Sequence, residues 1–257
     1  MPSSAAIRLQ VETTLANRVP AALTLKIKQA PELFATGIAE VDAVLNGGIP
    51  RGCITEIAGA ASTGKTSFGL SAVAAITQSG AACAWVDVSD ALSPESAAAA
   101  GVELKRLLWL RASAERQQKI TSKPWSRLEQ ALKATDLLLQ AGGFAAIVLD
   151  MSDVLPQHAT RIPLSTWYRY RLSAEQARTA VLLLTQTPCA NSCAALSLRS
   201  EPAHVRPFNS NGETALYEGQ RYTLVRERNR NEGSMIHQKK PPMRAEWPAE
   251  TLWSRVR

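Results

Sequence analysis

Apolar positions along the chain fall into two alternating patterns. CITEIAG at 53–59, ACAWVDV at 82–88, LLWLRA at 107–112, FAAIVLDMSD at 144–153 and AVLLLTQT at 180–187 are short, nearly continuous apolar runs with polar or glycine-bearing flanks. Such runs are too short for helices and read as strands, those at 53–59 and 180–187 as buried ones. Between them lie segments whose apolar residues recur every three to four positions. One short helix carries Ile38, Val41 and Leu45 on one side and is closed by Gly47-Gly48. KTSFGLSAVAAITQSG at 65–80 is a longer apolar helix, and SPESAAAAGVELKRL at 93–107 contains a small one. At 126–143, Ser126 and Glu129 form an S-x-x-E capping box ahead of Leu128, Ala131, Leu132, Leu138 and Leu139. STWYRYRLSAEQART at 165–179 is helical as well.

Buried strands alternating with amphipathic helices define an α/β fold, a mostly parallel sheet with helices on both faces. ALTLKIK at 22–28 predicts a further short strand and QRYTLVRER at 220–228 a late one. QKKPPMRAEWPAE at 238–250 has too many prolines for a regular element, so an irregular tail is expected there. The expected organisation is an N-terminal segment 1–33, a core 34–230 and a basic, proline-containing tail 231–257, with no separate C-terminal domain.

The chemistry concentrates after the strand at 53–59. Gly59, Ala60, Ala61, Ser62, Thr63, Gly64, Lys65 and Thr66 spell G-x-x-x-x-G-K-T, and Ser67 continues the helix. Glycines let successive N–H groups turn toward phosphate oxygens, and the helix start adds its positive dipole end. In such a loop Lys65 reaches the β- and γ-phosphates and the Thr66 hydroxyl ligates Mg²⁺. Asp150, at the end of an apolar strand, is placed to hold Mg²⁺ through water. Gln186, at the tip of another, is placed to sense the γ-phosphate.

Composition narrows the setting. No apolar run approaches the roughly 20 residues of a bilayer span, the first 20 residues lack a secretory pattern, and four cysteines are too few for a disulfide scaffold. A cytoplasmic protein is expected. Cys189 and Cys193 form a lone C-x-x-x-C that fits zinc spacings poorly. The net charge is +7, of which the nine Lys/Arg and four Asp/Glu from position 221 onward supply +5. A basic tail carrying Trp247 and Trp253 fits single-stranded nucleic acid or a protein partner, and equally a segment folded back on the body.

Taken as a set, these motifs resemble the RecA family of recombinase ATPases. ATGIAEVDAVLNGGIPRG resembles the family's T-G-x-x-x-x-D opening and its Gly-Gly-Pro-like turn. ACAWVDVSDALSPESAAAAGVELKRL is similar to the next strand and helix, AAIVLDMSDVLP to the strand with the Mg²⁺-associated Asp, and LLLTQ to the sensor strand. TLVRERNR resembles a late strand whose basic residues, here Arg226 and Arg228, can reach a nucleotide on a neighbouring protomer. The resemblance covers about 34–229 and implies ATP and Mg²⁺ as ligands, with self-association.

The departures shape the expected function. The family's water-activating Glu is replaced by Ser89, with Asp90 one residue on as the substitute; a serine hydroxyl is a poor general base. The family's base-contacting acid and aromatic fall on Ser93 and Ser96. The DNA loops are short, only TPCANSC following Gln186. This pattern is similar to the ImuA group, which accompanies an error-prone polymerase in damage-induced mutagenesis. It implies an ATP-binding accessory protein of the DNA-damage (SOS) response and translesion synthesis, with a polymerase partner and weak or absent hydrolysis. The alternatives are an active DNA-dependent ATPase of recombinational repair and an adaptor with a vestigial nucleotide site.

Overall fold

The computed structural model describes residues 4–15, 31–112, 124–208, 216–230 and 243–250. The strand expected at 22–28, Trp253 and much of the basic tail lie outside these residues. Within the first unit of the chain, helix α1 runs Ser4–Leu15.

The rest is built on one sheet. Its strands are β3 (Ile54–Ala58), β4 (Cys83–Asp87), β5 (Leu107–Arg111), β6 (Ala146–Asp150), β7 (Ala180–Thr185), β8 (Ala194–Phe208), β9 (Leu216–Asn229) and β10 (Arg244–Glu250). They lie in the order β10-β9-β8-β3-β7-β6-β4-β5. From β8 to β5 every pairing is parallel; β9 and β10 add on antiparallel. The α/β expectation holds.

The strand alternation separates two cores. Ala146, Val148, Leu182 and Leu184 face one side with Phe68, Val73, Ile76 and Trp85. Ile147, Leu149, Val181 and Leu183 face the other with Leu128, Leu139, Trp167 and Tyr170. Side chains on successive residues point to opposite faces, so strands buried on both sides must be apolar throughout. The first face is covered by α3 (Lys65–Gln78), the second by α5 (Pro124–Ala141) and α7 (Leu164–Ala177).

A small ribbon of β1 (Leu33–Phe34) and β2 (Ile49–Pro50) brackets α2 (Ala39–Val44). The T-G-x-x-x-x-D stretch has a physical reason here. Asp42 accepts bonds from both the backbone N–H and the hydroxyl of Thr36, each at 2.8 Å, closing the turn in front of α2. The Ser71 hydroxyl donates to the Thr36 carbonyl at 2.9 Å and ties that turn to α3.

Two sequence expectations are corrected and one strand is added. α5 begins at Pro124, which places Ser126 inside the helix and not at its cap; proline suits a first helical turn, where its missing N–H costs nothing. β8, which reaches Phe208, was not anticipated as a strand, because its prolines interrupt the alternation. Its register against β9 shifts between Ser197 and Leu198, between Glu201 and His204 and between Arg206 and Pro207, the last two around those prolines. Finally, 244–250 is a regular strand despite Pro248. β10 lies at the end of the sheet, where an imino acid need not donate to a second neighbour.

Candidate functional site

The parallel strands β3, β4, β6 and β7 all end on one edge, where ligands of open α/β sheets bind. The G-x-x-x-x-G-K-T loop connects β3 to α3 at that edge. Ser62 (φ +59°) and Gly64 (φ +86°) take left-handed backbone conformations, and Gly64 is the residue that opens α3. Gly59 is required by crowding: a β-carbon there would lie 2.5 Å from the Ser200 carbonyl oxygen. Strand β8 also buttresses the loop through a hydrogen bond from the Ser200 hydroxyl to the Thr63 carbonyl. The Tyr222 ring on β9 packs against Gly64.

Lys65 is almost fully buried, and its ammonium donates to the Gly59 carbonyl at 2.7 Å and to the Ala60 carbonyl. Burial depresses its proton affinity, and the nearby Asp150 and Asp153 carboxylates work against that. Asp150 is buried at the end of β6 and accepts from the Ser152 N–H at 3.0 Å. Its pKa is raised, mainly by burial, with Asp87 and Asp153 adding repulsion against the Ser152 hydrogen bonds. Gln186 donates from Nε2 to the Ser152 carbonyl at 3.0 Å, so the sensor position touches the loop that follows Asp150.

Two cavities lie at this edge. One, of about 280 Å³, is bounded by residues 61–67, Ser152, Asp153 and Tyr222. The other, of about 390 Å³, is bounded by Val88, Ser89, Arg127, Asp153, Val154, Leu155 and His158. The loop N–H groups, Lys65 and the hydroxyls of Thr66 and Ser67 are the groups that can hold phosphates in the first. No group of three metal-ligating side chains occurs among the described residues.

Ser89 lies at the wall of the second cavity. The buried Asp87 organises its loop, accepting from the N–H groups of Ser89 (3.2 Å) and Leu92 (2.8 Å) and from the Trp109 indole (3.4 Å). Asp90 takes a left-handed conformation (φ +58°), stands 3.7 Å from Arg111 with its side chain 47% exposed, and borders neither cavity. Ser93 caps α4 (Pro94–Ala99) by accepting from the Ser96 N–H at 3.2 Å. Arg226 is buried, and Arg228 donates to the Asn191 and Ala194 carbonyls of its own chain. Trp247 is a core residue, 5% exposed, packed on Phe68 and Tyr222 at centroid distances of 6.5 and 5.6 Å. The fold-back alternative therefore holds for this tryptophan. In α7, Trp167 and Tyr170 are core while Tyr168 is exposed, stacked under Arg171 at 5.0 Å. Cys189 and Cys193 are buried free thiols; burial and the neighbouring Glu56 carboxylate raise the pKa of Cys189.

Sequence reasoning missed Ser200, Tyr222 and Asp153. The first two arrive from distant strands, with no local signal. Asp153 was visible only as part of the acidic end of the β6 segment.

The sheet order, the loop between β3 and α3, and the strand-end Asp150 and Gln186 define a RecA-like P-loop fold. The chain belongs to the RecA N-terminal domain family, whose model matches residues 5–161. It is 38% identical over 123 residues to the protein RecA of Acinetobacter baumannii, and 39% identical over 124 residues to that of Pseudomonas fluorescens. Each match covers 48% of this chain and 32% of the relative, so the chain spans about a third of the length of these curated relatives. A crystal structure of the RadB recombinase shares the fold with a TM-score of 0.54 at 18% identity, over 83% of this chain and 94% of that one. No helix among the described residues is long and apolar enough to cross a membrane.

Proposed function

We propose that this chain is an ATP-binding accessory protein of the bacterial DNA-damage response, of the ImuA kind that serves translesion synthesis. The nucleotide acts as a switch or an interface ligand, and its hydrolysis is slow or absent. The observation that carries the reading is the contrast within one site. The phosphate loop with Lys65 and Thr66 bounds one cavity, and Asp150 and Gln186 follow at the ends of the paired strands β6 and β7, while after β4 Ser89 borders the second cavity and Asp90 stands beside Arg111.

Mg²⁺ would be held by the Thr66 hydroxyl and, through water, by Asp150; bound there, it would offset phosphate charge. The residues fit that pair of ligands: a buried carboxylate whose charged form is costly without a cation lies within electrostatic reach of a lysine that burial deprives of water. Lys65 would exchange the Gly59 and Ala60 carbonyls for phosphate oxygens, and Gln186 would report the γ-phosphate to the loop after Asp150. The partners are a polymerase-containing complex and single-stranded DNA, with the basic 231–257 segment as the contact. Arg228 would reach a neighbouring protomer's nucleotide only after leaving the Asn191 and Ala194 carbonyls.

Phosphate release from Mg·ATP, with and without single-stranded DNA, tests this reading against a Lys65→Ala control. Slow release that DNA does not stimulate is expected. Strong DNA-stimulated release, lost in the control, would replace it with a DNA-dependent ATPase of recombinational repair.

A further inference from the structure

We infer that Asp153 is the catalytic carboxylate of this site, facing the γ-phosphate from the loop after β6 in place of the acid absent at Ser89. The inference rests on the ATP-binding reading above and adds the group through which its slow hydrolysis runs.

Of the described residues bounding the two cavities, Asp153 alone belongs to both. On one side it faces the phosphate loop; on the other it faces the wall that holds Ser89, Arg127 and His158. Its charge reaches Lys65, the side chain that marks the phosphate position. The backbone around it is fixed. Ser152 N–H is bonded to Asp150, the Ser152 carbonyl to Gln186, and the Val154 N–H to the Met151 carbonyl at 3.0 Å, with Val154 buried. The Asp153 side chain is itself exposed, so water has access to it. Asp90 has none of these relations: it lines neither cavity and stands beside Arg111.

The step is a hydrolysis. Asp153 accepts a proton from water as the water oxygen bonds to the γ-phosphorus. The bond from that phosphorus to the β–γ bridging oxygen breaks, its electron pair leaves with ADP, and inorganic phosphate carries the new oxygen. An aspartate reaching in from the β6 side is shorter than a glutamate and approaches from another direction, which accounts for a slow reaction.

The test uses the full chain and two readouts, affinity for a fluorescent ATP analogue and single-turnover phosphate release. Wild type, Asp153→Asn, Asp153→Glu, Asp90→Asn and Lys65→Ala are compared. Asp153→Asn is expected to bind ATP as tightly as wild type or tighter, since a negative charge beside the phosphates is gone. Its release rate should fall roughly 10²-fold, within the range for loss of a general base. Asp153→Glu should keep part of the rate and Asp90→Asn all of it. Release by Asp153→Asn at the wild-type rate overturns the inference. Wild type that binds ATP but releases phosphate no faster than Lys65→Ala also overturns it, and leaves the ATP-binding reading standing. Absence of ATP binding by wild type removes both.

Discussion

The Tyr222 ring packs directly on the backbone of Gly64, so that a β-carbon at Gly64 would lie 2.4 Å from the ring's Cδ1. Gly64 also has φ +86°, a conformation that side chains resist. Two separable costs follow for Gly64→Ala. The backbone cost is of order 1–3 kcal/mol, and the clash adds to it. Urea denaturation of Gly64→Ala, Tyr222→Ala and the double variant should show that removing the ring recovers the clash and leaves the backbone cost. Strictly additive losses would mean that the two residues do not press on each other.

Burial makes the charge of Asp150 costly at neutral pH. Burial holds its pKa above the ordinary 3.8. Between 3.8 and that raised value the folded state binds more protons than the unfolded one. This contribution to stability is therefore fullest below 3.8 and is lost as pH rises through the folded pKa. At pH 7 the buried charge is a cost. Asp150→Asn should raise the nucleotide-free melting temperature, by about 2–4 °C for each kcal/mol relieved in a domain of this size. The same variant should show a smaller melting shift with Mg·ATP. A lower nucleotide-free melting temperature would contradict this account of Asp150.

Trp247 joins the last strand to the rest of the fold. Its ring fills the space between Phe68 on α3 and Tyr222 on β9. Trp247→Ala should cost about 3–5 kcal/mol, the usual range for a buried aromatic. Chemical denaturation measures this directly. A loss below about 0.5 kcal/mol, typical of surface positions, would place the tryptophan outside the core.

The sequence was most legible where structure is local. The phosphate loop is written in eight consecutive residues, and the four buried parallel strands β3, β4, β6 and β7 announce themselves by apolar runs that both faces of the sheet demand. By contrast β5, equally apolar in sequence, is an edge strand with Leu108 exposed. The strands β8 and β10 were harder to see. Pro202, Pro207 and Pro248 break the alternation, and only the sheet order shows that they stand at register shifts or on an edge. The site divides in the same way. Lys65, Thr66, Asp150 and Gln186 follow from motif and strand end. Ser200 and Tyr222 reach the loop only because β8 pairs with β3 and β9 with β8, pairings that no spacing in the chain encodes. Asp90 is one residue from the expected acid, yet its left-handed backbone aims it at Arg111. A one-residue displacement at a strand end changes direction as well as distance.

The most direct test of the central claim is calorimetric titration of the protein with a slowly hydrolysed ATP analogue, with and without Mg²⁺, beside Lys65→Ala. The account expects saturable, Mg²⁺-dependent binding at one site per chain that is lost in Lys65→Ala. Equal binding by the two proteins, or none by either, would contradict it.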